Sequence, residues 1–95
     1  MGFIIGSCKI VLYLPDVSSL KEKRQILKSI KDRLRNRFNL AVSEIDDSGL
    51  WQRATLGIVC VTNERRSGQV YLDQVVNFFQ AEPEIKIVDY EIDIT

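Results

Sequence analysis

The chain has 95 residues, with 13 Lys or Arg, 13 Asp or Glu and no histidine, so its formal charge at pH 7 is zero. At 45% hydrophobic and 27% charged it reads as one globular domain, residues 1–95, with a modest core and little room for an enclosed catalytic chamber. Without histidine there is no Ser-His-Asp triad, Cys-His pair or histidine-bound zinc or haem, and Cys8 and Cys60 alone make neither a four-thiolate site nor a disulfide scaffold.

The start of the chain lacks the basic segment of a signal peptide. Lys9 interrupts the first apolar run, and no 18-residue apolar stretch occurs, so a cytoplasmic protein without a membrane span is expected. Residues 3–14, FIIGSCKIVLYL, are apolar on both parities, as in a central strand. Pro15 and Asp16 end it. Cys8, and Cys60 further on, lie inside apolar runs and read as buried, reduced core thiols. Ser19 and Glu22 form an S-x-x-E capping box at the start of a helix running to about Arg37. Leu20, Leu27, Ile30, Leu34 and Phe38 make its apolar arc, with Ile26 at the margin.

Asn39 to Ile45 is extended, and Asp46-Asp47-Ser48-Gly49 is a turn. The two adjacent aspartates suit that turn better than a metal site. Ala54 to Thr62 is a second strong strand, in which Gly57 either weakens the strand slightly or permits close backbone approach. Asn63 to Gly68 reads as a polar connection. Leu72, Val75, Val76 and Phe79 at i, i+3, i+4 and i+7 mark the second helix, which Pro83 stops. Ile85 to Ile94 alternates as a last strand, with Lys86, Val88, Tyr90, Ile92 and Ile94 on one parity. Asp89, Glu91 and Asp93 fall on the other and give an acidic, solvated face.

The order β-α-β-β-α-β predicts an α+β, ferredoxin-like sandwich. Its sheet is four-stranded and antiparallel, with two helices on one face. The other face is left open. If the even-numbered residues of the first and third strands face the helices, Phe3, Ile5, Val11, Tyr13, Val59 and Val61 line that open face. Such a patch suits self-association into a homodimer. The rival, base stacking as in an RNA-recognition motif, wants aromatics where the third strand has Gly57, Val59 and Val61.

Zero net charge conceals a local asymmetry. Between Leu20 and Arg37 eight basic residues face two acidic ones, a net of six positive charges; from Glu82 to Thr95 the net is four negative. Lys21, Arg24, Lys28, Lys31 and Arg35 recur at helical spacing and make one basic stripe. Three readings fit it: a solvated surface, contact with RNA or DNA phosphates, and an acidic protein partner. Like charges at i,i+3 and i,i+4 repel, and lysine near a helix start opposes the macrodipole, which tilts the pattern slightly against solubility alone, since mixed signs would serve that purpose.

Lys23 falls in the apolar arc. Its stem can snorkel from the first turn, or its ammonium can pair with a strand-end carboxylate such as Glu44; desolvated-lysine catalysis is the remote third option. Trp51, the sole tryptophan, either clamps the hairpin onto the sheet or stacks on a base while Arg53 touches phosphate. There is no Walker A and no dinucleotide fingerprint, and neither cofactor nor metal is expected.

Ser19-Leu20-Lys21-Glu22-Lys23-Arg24 and Leu50-Trp51-Gln52-Arg53-Ala54-Thr55-Leu56-Gly57 resemble the YlxP-like family of small bacterial proteins of unknown function. The resemblance spans essentially the whole chain. It implies a ferredoxin-like fold and, because the family's genes often neighbour those of translation and ribosome-maturation factors, a role near RNA or a ribosomal component. It supplies no catalytic residue. The family's surface features fall on Lys21, Lys23, Arg24, Trp51, Gln52 and Arg53, while Gly49 stands where a more polar residue is expected. A non-catalytic RNA-binding or ribosome-associated accessory protein is therefore the leading expectation, with Lys21, Lys23, Arg24, Lys28, Lys31, Arg35, Trp51 and Arg53 as its contact residues. A homodimeric protein-interaction module is the alternative.

Overall fold

A computed structural model describes residues 2–95. Its elements are β1 (Ile4–Tyr13), α1 (Leu20–Arg37), β2 (Ala41–Asp46), β3 (Arg53–Thr62), α2 (Arg65–Gln80) and β4 (Lys86–Ile94). The sheet order is β2-β3-β1-β4, with every neighbouring pair antiparallel. Both β-α-β units thus skip one strand, and the long apolar runs become the central pair. This is the expected ferredoxin-like sandwich.

Alternation along β1 and β3 decides which face is covered. Cys8, Ile10, Leu12, Leu56, Ile58 and Cys60 pack against Leu27, Ile30 and Leu34 of α1 and Leu72, Val75 and Phe79 of α2. A Cβ on Gly6 would lie 3.0 Å from Leu72 Cδ1 and 3.1 Å from Cys60 Sγ, so glycine lets α2 settle close to β1. Both cysteines are free and buried. Cys60 stands opposite Gly6 and Cys8 opposite Ile58, so the thiols do not face each other across the ladder. Burial pushes the Cys8 thiol up to about 11 and raises that of Cys60.

Ser19 caps α1, its hydroxyl accepting from Glu22 N at 3.1 Å. The return arm of the capping box is not made; the Glu22 carboxylate accepts from the Ser18 hydroxyl at 3.3 Å instead. α2 begins at Arg65, within the stretch expected to be a connection, and buries Gly68 against Thr62 and Ile94. Packing of that glycine, rather than helix propensity, recruits the first turn.

β4 corrects a second expectation. A register shift opposite Val11 and Leu12 inserts an extra residue. The parity of the strand therefore changes midway: Ile87 packs on the core together with Ile92 and Ile94, while Val88 is exposed. Asp89, Glu91 and Asp93 pair with Val11, Lys9 and Ser7 and form an acidic edge on the open face.

Candidate nucleic-acid interface

Lys23 organises the end of the sandwich where α1 begins. The side chain is 1% exposed, and its ammonium donates to Asp47 O and to Leu50 O, both at 2.7 Å. It also lies 2.9 Å from Glu44 Oε2. The directed hydrogen bonds go to the two carbonyls, and Glu44 supplies the countercharge that makes burial of the ammonium tolerable. Snorkelling is thus overturned and the ion pair with Glu44 is found. Lys23 holds the β2–β3 hairpin against the first turns of α1 and presents no charge to a partner.

The same hairpin is fastened twice more. Asp47 adopts φ 64°, in the left-handed region that aspartate tolerates better than most residues. Its carboxylate accepts from Thr55 Oγ1 at 2.7 Å and from Arg53 Nε at 3.1 Å. The Thr55 hydrogen bond first, then that of Arg53 and the charges of Arg53 and Lys23, hold the Asp47 carboxyl below the usual carboxylate range. Gln52 Nε2 donates to Pro15 O at 3.0 Å and to Val17 O at 3.3 Å, tying the hairpin to the loop between β1 and α1. A Cβ on Gly57 would meet Ile45 Cγ2 at 3.1 Å, so glycine makes room for Ile45 across the open face.

The two sequence motifs therefore meet in space, and much of their content is architectural. What they leave outside is Trp51. It is 53% exposed and does not clamp the hairpin. With Tyr13, Gly49, Leu50, Gln52 and Arg53 it lines a shallow depression of about 510 Å³.

Along α1 the basic stripe is interrupted by one acid. Asp32 accepts from Lys28 at 2.9 Å and from Arg35 at 3.3 Å. The Lys28 hydrogen bond, helped by the charges of Lys28, Arg35 and Lys31, lowers its carboxyl pKa. Among the described residues Lys21, Arg24 and Lys31 form no ion pair. Lys21 and Arg24 are exposed and Lys31 is half-buried. Arg53 is in the depression, but its charge is offset by Asp47.

Further along α1, Arg33 pairs with buried Glu82 just beyond α2 and lies over the Phe78 ring at 5.9 Å. Neither that link nor the Gln52 clamp is evident from the sequence. Gln52 lies within a quoted motif, whereas nothing local to Arg33 announces a partner 49 residues away. On the two central strands Ile5, Val59 and Val61 (67% exposed) stand as an exposed apolar patch of the open face, with Phe3 (68%) exposed just before β1. Val11, expected in that patch, is buried. No helix among the described residues is long and apolar enough to cross a membrane.

Comparison with known proteins places the sequence in a family. Residues 5–92 match the family described as a protein of unknown function, DUF503. The uncharacterized protein YlxP of Bacillus subtilis (strain 168) is 40% identical over 86 residues, which cover 90% of this chain and 89% of the relative. The chain belongs to this DUF503, or YlxP-like, family.

Proposed function

We propose that this chain is a non-catalytic accessory protein that binds structured RNA through the outer face of α1. The observation that carries the reading is the imbalance on that helix. Lys21, Arg24 and Lys31 lack an internal counter-ion among the described residues, and Lys28 and Arg35 share the single carboxylate of Asp32. α1 packs beside β2, and the acidic strand β4 lies at the opposite edge of the sheet, so the charges are separated across the molecule. A polyanion is attracted to the first surface and repelled by the second. The family resemblance suggests the company of translation factors, and the RNA of a ribosomal component is a ligand of that kind.

The test is fluorescence anisotropy of a labelled RNA stem at rising salt. Binding that weakens steeply with salt, and further when Lys21, Arg24 and Lys31 become Gln, supports the reading. Absence of saturable binding at low ionic strength overturns it.

The apolar patch of Phe3, Ile5, Val59 and Val61 favours a second and compatible reading, pairing of two copies through the open sheet face. Such a dimer leaves α1 of each copy accessible, because the helices cover the other face.

A further inference from the structure

The depression at the hairpin end is an aromatic platform on a rigid mount. A turn that merely closed a hairpin would need neither the buried ammonium of Lys23 nor the Gln52 clamp. Here three separate tethers fix the loop: Lys23 to Asp47 O and Leu50 O, Gln52 to Pro15 O and Val17 O, and the Asp47 carboxylate to Thr55 and Arg53. The side chains so positioned face water. Trp51 is 53% exposed, Tyr13 is 40% exposed, and both line the same depression. An exposed aromatic held on a fixed backbone has little conformational freedom left to lose, which favours binding.

Charge decides which ligand suits it. Arg53 borders the depression, and Asp47 offsets its charge through Nε; among the described residues its two Nη groups make no hydrogen bond, leaving N–H donors beside the rings from which a phosphate oxygen can accept. The tether from Lys23 sets the hairpin on the first two turns of α1, where Lys21 and Arg24 are exposed. An apolar peptide gains nothing from these cations and an aromatic one only a cation–π contact, whereas a nucleotide uses both features: a flat base for the rings and a phosphate for the guanidinium.

We propose that the depression formed by Tyr13, Leu50, Trp51 and Arg53 is a stacking site for one unpaired nucleobase of a single-stranded RNA segment, with Arg53 on the adjoining phosphate. The proposal rests on the RNA-binding reading and adds a division of labour. α1 holds backbone of any sequence, and the hairpin selects a place where the strand is unpaired.

Trp51 is the sole tryptophan, so its emission reports on this site alone. Titration with a short oligoadenylate is expected to quench that emission, whereas a fully paired RNA stem binds without quenching it. In anisotropy measurements W51A weakens a labelled oligoadenylate about 10-fold, W51F weakens it less, and neither changes affinity for the stem. R53Q weakens the oligoadenylate and leaves the stem unaffected. Unaltered melting of W51F controls for folding, and R53Q, which also gives up the contact with Asp47, is compared well below its own melting temperature. If the stem binds but oligoadenylate neither quenches Trp51 nor loses affinity in W51A, the stacking site is refuted while the α1 reading stands. Quenching by a short aromatic peptide but not by oligoadenylate also refutes it. If neither RNA binds at low salt, both proposals fall.

Discussion

Replacing Lys23 by methionine removes one ammonium, keeps most of the stem and leaves three acceptors behind. Asp47 O retains the amide of Leu50 at 3.0 Å, so it is not orphaned. Leu50 O loses its hydrogen bond, and Glu44, 19% exposed at its side chain, loses its countercharge. Breaking a buried ion pair from one side costs about 3–5 kcal/mol. Partial access of water to Glu44 moves the expected loss to the lower end, roughly 3 kcal/mol in all. A domain of this length has a stability of roughly 5–14 kcal/mol, so the variant folds but with much of its margin gone. In urea unfolding its midpoint falls by about 1–3 M, for slopes typical of small domains. Trp51 sits on the loosened hairpin, so its emission changes before the far-UV circular dichroism does. The double variant K23M/E44M recovers part of the loss, because no carboxylate is stranded, and not all of it, because Leu50 O still lacks a donor. A loss below about 1 kcal/mol in K23M would refute the role assigned to this lysine.

Asp47 and Asp32 have folded pKa values below the ordinary 3.8, so the folded state binds their protons more weakly than the unfolded chain does. The stability they confer is complete above the unfolded value and is lost as pH falls through the folded ones. The urea midpoint is therefore expected to drop on acidification below about pH 4. In D47N it starts lower and drops less, and an unchanged acid profile in D47N would contradict the assignment. On the open face, V61D puts a charge in the centre of the apolar patch. Light scattering is expected to show dimer for the parent chain and monomer for the variant, and a monomeric parent at high concentration removes the dimer reading.

The fold was legible because its two central strands and both helical stripes are long and periodic. Legibility failed where tertiary context overrides local pattern. The β4 bulge reverses parity between Ile87 and Ile92, which strict alternation does not reveal. Gly68 enters α2 because it fits against Thr62 and Ile94, a fact of packing between distant segments. At the candidate site the cations of α1 could be counted, but their pairing could not. Asp32 quiets part of the stripe, and Lys23 turns inward to carbonyls 24 and 27 residues away. In the motif around Trp51 the tryptophan and the arginine are the conspicuous residues. Its neighbours Leu50 and Gln52 do the fastening, through a main-chain carbonyl and an amide whose partners lie far off in sequence.

The central claim is that phosphates meet the uncompensated cations of α1. It is tested most directly by the slope of log affinity against log salt for an RNA stem, compared between the parent chain and K21Q/R24Q/K31Q. Each phosphate contact contributes about 0.9 to that slope on a duplex, so the triple variant is expected to bind more weakly and with a slope shallower by about 3. Equal slopes and affinities in the two proteins would contradict it.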